Sequence, residues 1–285
     1  MIISSGQYAS ITQRLTQLIQ QGLNLSHLED EWFDMLEYNS MHSLYSQLYV
    51  RRVKYETRNF SARRMAEIID RINHGDTLLN ISKELGFSSY KLAKLYTEQI
   101  FGSNFQLNRF VESPADLVKD IKLREDLLKC IVEDPVSSNE KESLRACVGR
   151  EFEELLTQLL DEKKMCYETE AELRARGKPK TPDALLLIPM AVVIPNGGYH
   201  VVNWIDSKGM FADLDTFKEH REQLAGYVNR YGSGLVIYWY GYVEGVQNLS
   251  GNNIMVIDKF PDQWIFPSGE IANGQTLMFD RKTNN

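Results

Sequence analysis

Two long apolar runs lie next to each other in the second half of the chain. The first run follows Asp183 and the second ends at Asp206, and only Pro195-Asn-Gly-Gly198 separates them. Turn-forming residues of this kind between two apolar runs are typical of a β-hairpin. The sequence therefore predicts a hairpin of two strands, and both strands begin or end at an acidic residue.

Further elements surround this hairpin. From about residue 149 the pattern predicts helix, strand, strand, strand, helix, strand and strand, an order that implies one sheet with helices on its faces. Residues 1 to about 148 show apolar residues at helical spacing and little strand-like alternation. We therefore predict an α+β or α/β protein with a helical domain at 1–140 and a mixed-sheet domain at 149–285. The polar segment 134–142 is the candidate hinge.

Charge and composition limit the classes of function. The formal net charge is −7, but residues 51–110 hold 11 Lys/Arg against 6 Asp/Glu. Such a segment forms either a basic face for a polyanion or a solvated helical surface. The sequence has no apolar stretch long enough to span a membrane. Three widely spaced cysteines favour a reducing, intracellular compartment over a disulfide framework.

A helix-turn-helix pattern occupies residues 77–101. Gly86 stands where the first helix must end, and a serine follows that is suited to cap the second helix. The pattern resembles DNA-binding helix-turn-helix domains, in which the second helix presents its early residues to base edges. That resemblance assigns nucleic-acid contacts to Ser89, Tyr90, Lys91 and Lys94. The alternative is a helical corner used for packing or for a protein partner.

The polar residues at the strand ends are the candidate site. Asp206 and Lys208 are two residues apart on one strand and therefore point to the same face. Alone they would form an ordinary salt bridge, but Asp183 stands at the start of the neighbouring strand. A predicted helix that bears Glu151, Glu153 and Glu154 precedes them. Glu153 lies at the edge of the buried stripe of this helix and is preferred over Glu151 as a member of the site, whereas Glu154 is expected to face solvent.

The expected pairing of the strands leaves a gap between these residues. If the hairpin turns near residue 197, simple antiparallel pairing sets Asp183 opposite residue 211, about 10–16 Å from the Asp206–Lys208 pair. A β-bulge near Pro189 would close this gap. A loop at Asp183 that bends back toward the strand would also close it.

The motif Pro182-Asp183, followed by Asp206-x-Lys208 behind a helical glutamate, resembles the PD-(D/E)xK nuclease superfamily. The resemblance implies that Asp183, Asp206, Glu153 and the Ser207 carbonyl hold Mg²⁺ or Mn²⁺ and that Lys208 orients or activates a water. Gln223-x-x-x-Tyr227 fits the pattern that RecB-like members carry on the following helix. This implies a catalytic contribution from Gln223 and a nucleic-acid contact by Tyr227.

The segments LRARGKPKTPD, WIDSKGMFAD and NRYGSGLVIYWYG together resemble one eukaryotic family, the codanin-1-interacting or TPD-motif nucleases. That family usually has Glu-Ser-Lys where this chain has Asp206-Ser207-Lys208, so the ligand here is one methylene shorter. The resemblance implies a metal-dependent nuclease, a codanin-1 partner and a location in nucleus and cytoplasm. Junction-cutting relatives act as dimers, so a homodimer is one candidate assembly.

A short basic tract leads into the triplet Thr181-Pro182-Asp183, here called the TPD segment. Arg174 and Arg176 are the stronger candidates for phosphate contacts, with Lys178 and Lys180 after them, unless the tract is a solvated loop. Two functions follow from the sequence. The first is a Mg²⁺-dependent endonuclease acting on nucleic acid, with DNA as the expected substrate. The second is a nuclease-fold adaptor that binds a codanin-1-like protein without significant catalysis.

Overall fold

The computed structural model describes residues 1–194 and 198–267. The chain divides into two compact units. The helical unit consists of residues 9–146. The sheet unit, in its described part, consists of residues 1–8, 147–194 and 198–267. The first eight residues therefore belong with the sheet, whereas the sequence places them in the helical domain.

Helices account for most of the regular structure. In chain order they are α1 (Ser5–Gln20), α2 (Glu31–Met35), α3 (Tyr38–Arg58), α4 (Ala62–Asn73), α5 (Leu78–Leu85), α6 (Ser89–Phe101), α7 (Leu107–Glu112), α8 (Pro114–Leu117), α9 (Ile121–Glu133), α10 (Asn139–Glu162), α11 (Glu170–Ala175), α12 (Leu214–Tyr231) and α13 (Val246–Ser250).

Strands are confined to the sheet unit within the described ranges. They are β1 (Ile2–Ile3), β2 (Tyr167–Thr169), β3 (Ala184–Val193), β4 (Tyr199–Lys208), β5 (Gly234–Tyr238), β6 (Tyr242–Val243), β7 (Ile254–Ile257) and β8 (Trp264–Ile265). The main sheet has the order β2-β3-β4-β5-β7, and β8 also pairs with β3. Antiparallel pairs at one end give way to the parallel pairs β4–β5 and β5–β7. Helix α12 makes the crossover that the parallel pair β4–β5 requires.

The hairpin of β3 and β4 contains a large irregularity. Near the hairpin end Met190 pairs with Val202, but Leu185 pairs with Trp204. Between these two pairs β3 advances five residues and β4 only two, so β3 carries three extra residues. This confirms the predicted bulge near Pro189. The predicted hairpin pairing is confirmed as well, while residues 195–197 of its turn lie outside the described residues.

The sheet unit has a core between its sheet and α10. Leu156 and Leu160 are one helical turn apart on α10 and are fully buried with Ile205 and Leu235 of the central strands. The i, i+4 spacing places both leucines on one helix face, as the sequence pattern predicts. On α12, Tyr227 packs edge-on against Trp204 of β4. These contacts fix the end of β4 where the polar residues stand.

The helical unit contains the predicted pair of helices, α5 and α6. The Thr77 side chain caps α5 and the Ser88 side chain caps α6. Between the two helices Gly86 adopts a left-handed conformation with φ 57°. A Cβ at this position would lie 3.0 Å from the Gln20 carbonyl oxygen, so the turn requires glycine. The turn is therefore packed against α1 inside the unit.

The predicted α+β class, with a helical first half followed by a mixed sheet, is confirmed. In the part of the chain that the structure describes, no helix is long and apolar enough to cross a membrane. The final segment of the predicted second domain, residues 268–285, lies outside the described residues.

Candidate active site

The bulge brings the two aspartates of the motif together. Ala184 pairs with Ile205, so the same register continued by one residue sets Asp183 opposite Asp206. The Ser207 backbone N–H donates a hydrogen bond to Oδ2 of Asp183 over 2.6 Å. The gap that simple pairing leaves between these side chains is therefore closed by the three extra residues of β3.

Asp206 is the most unusual side chain of the site. It is 1% exposed, and its Oδ1 has no hydrogen-bond partner among the described residues. Its Oδ2 is paired with Lys208, whose Nζ lies 2.7 Å away. A buried carboxylate with a single donor is poorly compensated, so this arrangement leaves acceptor capacity for a cation.

The charges of the site interact strongly. Burial raises the pKa of Asp183 well above its usual range, and the nearby Asp206 carboxylate raises it further. Burial works against a charge on Lys208, but the two aspartates outweigh it and the pKa of Lys208 is raised. The lysine is therefore held as an ammonium beside two carboxyl groups that compete for negative charge.

The donor set suits a hard divalent cation. Across residues 1–194 and 198–267, no three His, Cys, Asp or Glu side chains stand together as a ready-made metal site. Mg²⁺ typically binds through one or two carboxylates and keeps several waters, so a full protein cage is not needed. Asp183 and Asp206 supply two such carboxylates, and Oδ1 of Asp206 has no hydrogen-bond partner among the described residues.

Of the glutamates at positions 151, 153 and 154 of α10, Glu153 is the one within electrostatic reach of this pair. Its side chain is exposed at one edge of the site. Partial burial raises the pKa of Glu153, and the carboxylates of Glu170 and Asp206 raise it as well, against the attraction of Lys208. Glu151 instead lies near Tyr240, whose pKa is raised by burial and then by the Glu151 carboxylate. Glu154 is exposed, as the sequence indicates.

Glu170 is a member of the site that sequence reasoning missed. Thr169 of β2 pairs with Ala184, and the Glu170 backbone N–H donates to the Asp183 carbonyl over 3.3 Å. The Glu170 carboxylate accepts a hydrogen bond from Thr181, two residues before Asp183. Only the pairing of β2 with β3 could have revealed this neighbour. A strand of three residues is too short for its partner to be predicted from the sequence.

Gln223 and Tyr227 share one face of α12 and form a chain of hydrogen bonds. Gln223 Nε2 donates to the Tyr227 hydroxyl over 2.6 Å, and that hydroxyl donates to the Thr181 carbonyl over 3.0 Å. Tyr227 is only 2% exposed, so the structure does not present it to a nucleic acid. Its hydroxyl instead holds the backbone of the TPD segment, which is a positioning contact.

Aromatic side chains fix the other end of the motif. The Trp239 indole N–H donates to Oγ of Ser207 over 2.8 Å. Phe152 of α10 stacks on Trp239 with ring centroids 5.3 Å apart. A Cβ at Gly209 would meet the Phe152 ring at 2.8 Å, so glycine after Lys208 permits this close approach. The strand end and the helix that carries Glu153 are thereby packed together.

A polar cleft of about 560 Å³ opens beside the TPD segment. It is lined by Glu170, Arg174, Lys178, Pro179, Lys180, Thr181, Glu219, Glu222, Gln223 and Tyr227. Of the two predicted phosphate contacts, Arg174 pairs with Glu170 at 2.6 Å and Arg176 pairs with Glu168. Lys180 has a left-handed backbone with φ 56°, and its side chain lies against Gly226 of α12. Thus Lys178 and Lys180 are the cations of this cleft that have no ion pair within the described ranges.

The helix-turn-helix residues are placed differently from the expectation. Ser89 and Tyr90 are buried at 7% and 6% exposure, and their hydroxyls donate to the Cys130 carbonyl and to Asn139. They cannot meet base edges in this structure, because the start of α6 packs inside the helical unit. Lys91 lies over the Tyr90 ring, and Lys94 is exposed at 3.9 Å from Glu98.

Comparisons with known proteins agree with these motifs. The family model described as "Protein of unknown function TPD sequence-motif" matches residues 119–260. The chain is 28% identical over 281 residues to CDAN1-interacting nuclease 1 of Xenopus tropicalis, covering 93% of this chain and 90% of that protein. The Homo sapiens protein of the same name is 28% identical over 277 residues, covering 92% and 96%. The Danio rerio protein is 29% identical over 278 residues, covering 91% and 89%. No solved structure matches.

Proposed function

Because this chain belongs to the TPD-motif family together with the CDAN1-interacting nucleases, we propose that it is a metal-dependent nuclease that hydrolyses phosphodiester bonds, with DNA as the substrate. The relatives are nucleases by name. The metal, the type of nucleic acid and the roles of individual residues are our proposals.

One observation carries this proposal. The carboxylate of Asp206 is buried, its Oδ1 has no hydrogen-bond partner within the described residues, and it stands next to Asp183 and Lys208. An ordinary structural salt bridge at this position would satisfy both oxygens or remain at the surface. A site that binds a divalent cation would instead keep carboxylate oxygens free and desolvated.

Asp183 and Asp206 are the residues that would hold Mg²⁺ or Mn²⁺, with Glu153 and the Ser207 carbonyl as further ligands. Such an ion lowers the pKa of a bound water and neutralises charge that develops on the scissile phosphate. Lys208 is held as an ammonium and donates to the attacking water or to a phosphate oxygen. Tyr227 and Gln223 keep the TPD backbone in place through the Thr181 carbonyl.

The polar cleft beside this site supports a nucleic-acid substrate. Lys178 and Lys180 supply positive charge next to the TPD segment, and Lys180 is held by its backbone conformation and by Gly226. Phosphate groups of a strand would bind these lysines and set its register at the two aspartates. Arg174 and Arg176 are already ion-paired, so they contribute less than the sequence suggests.

A second candidate function rests on the names of the relatives, which are called CDAN1-interacting. We propose a codanin-1-like protein as a partner of this chain. In this alternative to the nuclease, the chain has a nuclease fold but acts as an adaptor that binds the partner without significant catalysis. A homodimer and a nuclear and cytoplasmic location stay predictions from the resemblance.

A cleavage assay separates these functions. Labelled duplex, flapped, branched and single-stranded DNA, with RNA beside them, are incubated with Mg²⁺ or Mn²⁺ and wild-type protein, Asp183→Asn or Lys208→Ala. We expect cleavage by the wild type, its loss in chelator, and a decrease of at least about 100-fold in both variants. Lys218→Ala is the matched control, because Lys218 is an exposed lysine paired with Asp215 outside the site.

Cleavage that survives both Asp183→Asn and Lys208→Ala would remove the assignment of this site. Lack of cleavage of every substrate by folded wild-type protein, together with retained binding of a codanin-1-like partner, would favour the adaptor.

A further inference from the structure

One short segment of the helical unit carries a high excess of positive charge. Residues 51–64 contain six Lys/Arg and a single Glu, a formal charge of +5 against −7 for the whole chain, which leaves −12 for the rest of the sequence. Between Glu37 and Glu67 the only acidic residue is Glu56. Neither the nuclease-like site nor the helix-turn-helix prediction uses this segment.

Helix α3 places part of this charge on one exposed face. Lys54, Tyr55 and Arg58 lie at the i, i+1 and i+4 positions of a regular helix and are all exposed. We call these three residues the basic stripe. The opposite face of the helix is buried through Tyr49 and Val53. The stripe therefore follows the solvent face of the last two turns of α3.

The one acidic residue of segment 51–64 does not neutralise the stripe. Glu56 is on the other side of the helix and pairs with Arg52 at 2.8 Å. Within the ranges that the structure describes, neither Lys54 nor Arg58 forms an ion pair with an Asp or Glu side chain. By contrast, Lys94 of the helix-turn-helix has Glu98 as a neighbour. A face of this kind attracts polyanions even on a protein that is acidic as a whole.

Tyr55 gives this face a property beyond charge. It is 70% exposed and lies beside the two cations, three positions before Arg58 on the helix surface. An aromatic ring exposed to this extent is costly to leave in water, but it offers a flat surface on which an unpaired base stacks. Two cations with an exposed aromatic ring beside them fit a nucleic-acid strand better than they fit a smooth anionic surface.

We infer that the basic stripe is a nucleic-acid contact surface of the helical unit, at which Lys54 and Arg58 bind backbone phosphates and Tyr55 stacks on a base. The choice of nucleic acid among polyanions rests on the proposed nuclease function. The stripe consists of residues of α3 alone and does not require Ser89 or Tyr90, which are buried.

Fluorescence anisotropy of the full chain tests this inference. An Asp183→Asn background prevents cleavage of the labelled DNA, which is offered as a duplex of about 30 base pairs and as a single strand of the same length. Dissociation constants are measured from about 50 to 200 mM NaCl, because each phosphate contact contributes about 0.9 to the slope of log K against log salt. The test variant is Lys54→Ala with Arg58→Ala.

We expect the double variant to bind roughly tenfold or more weakly at about 100 mM NaCl and to lose about 2 from the salt slope. Tyr55→Ala leaves the slope unchanged and weakens single-strand binding more than duplex binding. The matched control, Lys122→Ala with Lys129→Ala, removes two exposed lysines of α9 in the same unit. It binds like the parent protein.

Three results would overturn the inference. The first is equal affinity and salt slope for the stripe variant and the control. The second is no DNA binding by the parent protein at about 50 mM NaCl. The third is stripe-dependent binding to phosphatidylserine vesicles with unchanged DNA binding, which would assign the face to an anionic membrane. Stripe-dependent DNA binding by a wild-type protein that cleaves nothing would support the stripe and contradict the nuclease.

Discussion

Two aspartates, one in each unit, are buried to the same degree but differ in how their charge is compensated. Asp134 of the helical unit and Asp206 of the sheet unit are both 1% exposed. The Asp134 carboxylate accepts hydrogen bonds from the hydroxyls of Tyr49 and Ser88 and from the backbone N–H groups of residues 90, 136 and 137. The Asp206 carboxylate has a single partner among the described residues, the ammonium group of Lys208.

This difference separates a carboxylate that stabilises a fold from one that is available for chemistry. Five donors replace the water that Asp134 loses on burial, so that side chain ties α3, α6 and the segment before α10 together. Asp206 loses the same water and receives one neighbouring charge. The sheet unit therefore retains a desolvation cost at Asp206, where a cation and a phosphate would bind. The corresponding cost at Asp134 of the helical unit is compensated by hydrogen bonds.

The largest effect is expected where the single partner of Asp206 is removed. Lys208→Met should lower the free energy of unfolding by about 4 kcal/mol, because it leaves a buried carboxylate without a counter-charge. Adding Asp206→Asn to this variant should restore most of the loss. Urea denaturation followed by tryptophan fluorescence measures both values, with Lys218→Met as control. A double variant no more stable than Lys208→Met would show that Asp206 is compensated by another group.

Asp134→Asn should lower the free energy of unfolding by about 3 kcal/mol, because an amide oxygen replaces only part of the five charge-assisted hydrogen bonds. Cleavage per folded molecule should not change. The exposed Asp116 gives a matched control, Asp116→Asn, with no expected effect. If Asp134→Asn lowered cleavage without affecting stability, the assignment of Asp134 to the fold would be wrong.

Titration of His220 extends the comparison to pH. Burial, and then the charge of Lys208, lower the pKa of His220 to about 4. The folded state therefore favours the neutral ring, and the stability that this ring contributes is fully present above the ordinary pKa of about 6.5. This contribution is lost as the pH falls toward the pKa of the folded state. The loss is about 2.5 kcal/mol by about pH 4.5.

His220→Asn should lack this part of the pH dependence in denaturation measured at several pH values. In the helical unit burial also lowers the pKa of His42, so His42→Asn reveals whether the effect is common to both units. Equal pH profiles for wild type and His220→Asn would contradict the assignment.

Two tyrosine hydroxyls allow a finer test. Tyr227→Phe removes the hydrogen bond to the Thr181 carbonyl, and Tyr49→Phe removes one of the bonds to Asp134. Each should cost about 1 kcal/mol of stability. Only Tyr227→Phe should lower kcat, by about tenfold with little change in KM, because it loosens the backbone next to Asp183. Equal kcat values for the two variants would reduce Tyr227 to a packing residue.

The smallest effect is expected at Gly226. Alanine in the middle of α12 should raise the free energy of unfolding by up to about 1 kcal/mol through helix propensity. Its Cβ would lie 3.0 Å from Cδ of Lys180, so the lysine has to move out of its position in the cleft. We expect a small gain in stability with a loss of cleavage of a few fold. Gly149→Ala, at an open position of α10, controls for propensity alone.

Much of the sheet unit follows from its sequence. The apolar runs, the Pro-Asp and Asp-x-Lys motifs and the leucine spacing of α10 are local patterns, and they predict the hairpin, its polar ends and the helix behind them. The bulge is one of the two ways in which the sequence allows Asp183 and Asp206 to meet, the other being a loop at Asp183 that bends back. Its size depends on packing across the sheet, which no local pattern records.

The parts that sequence reasoning missed depend on long-range contacts. Glu170 joins the site through the pairing of the short strand β2 with β3. Ser89 and Tyr90 have the spacing of groove-facing residues, but contacts with α9 and Asn139 bury them. For these residues the deciding neighbour is distant in the chain. By contrast, Arg174 and Arg176 pair with glutamates only four and eight residues earlier, so their neutralisation is local.

The three extra residues of β3 separate the length of the hairpin from the alignment of the two aspartates. Residues gained or lost between Val193 and Tyr199 alter the tip and leave the Ala184–Ile205 register intact. Loss of one residue from Leu187, Ile188 and Pro189 shifts Asp183 past its counterpart and turns it to the other side of the strand. Among homologues, alignment gaps should therefore collect at the tip and avoid the bulge.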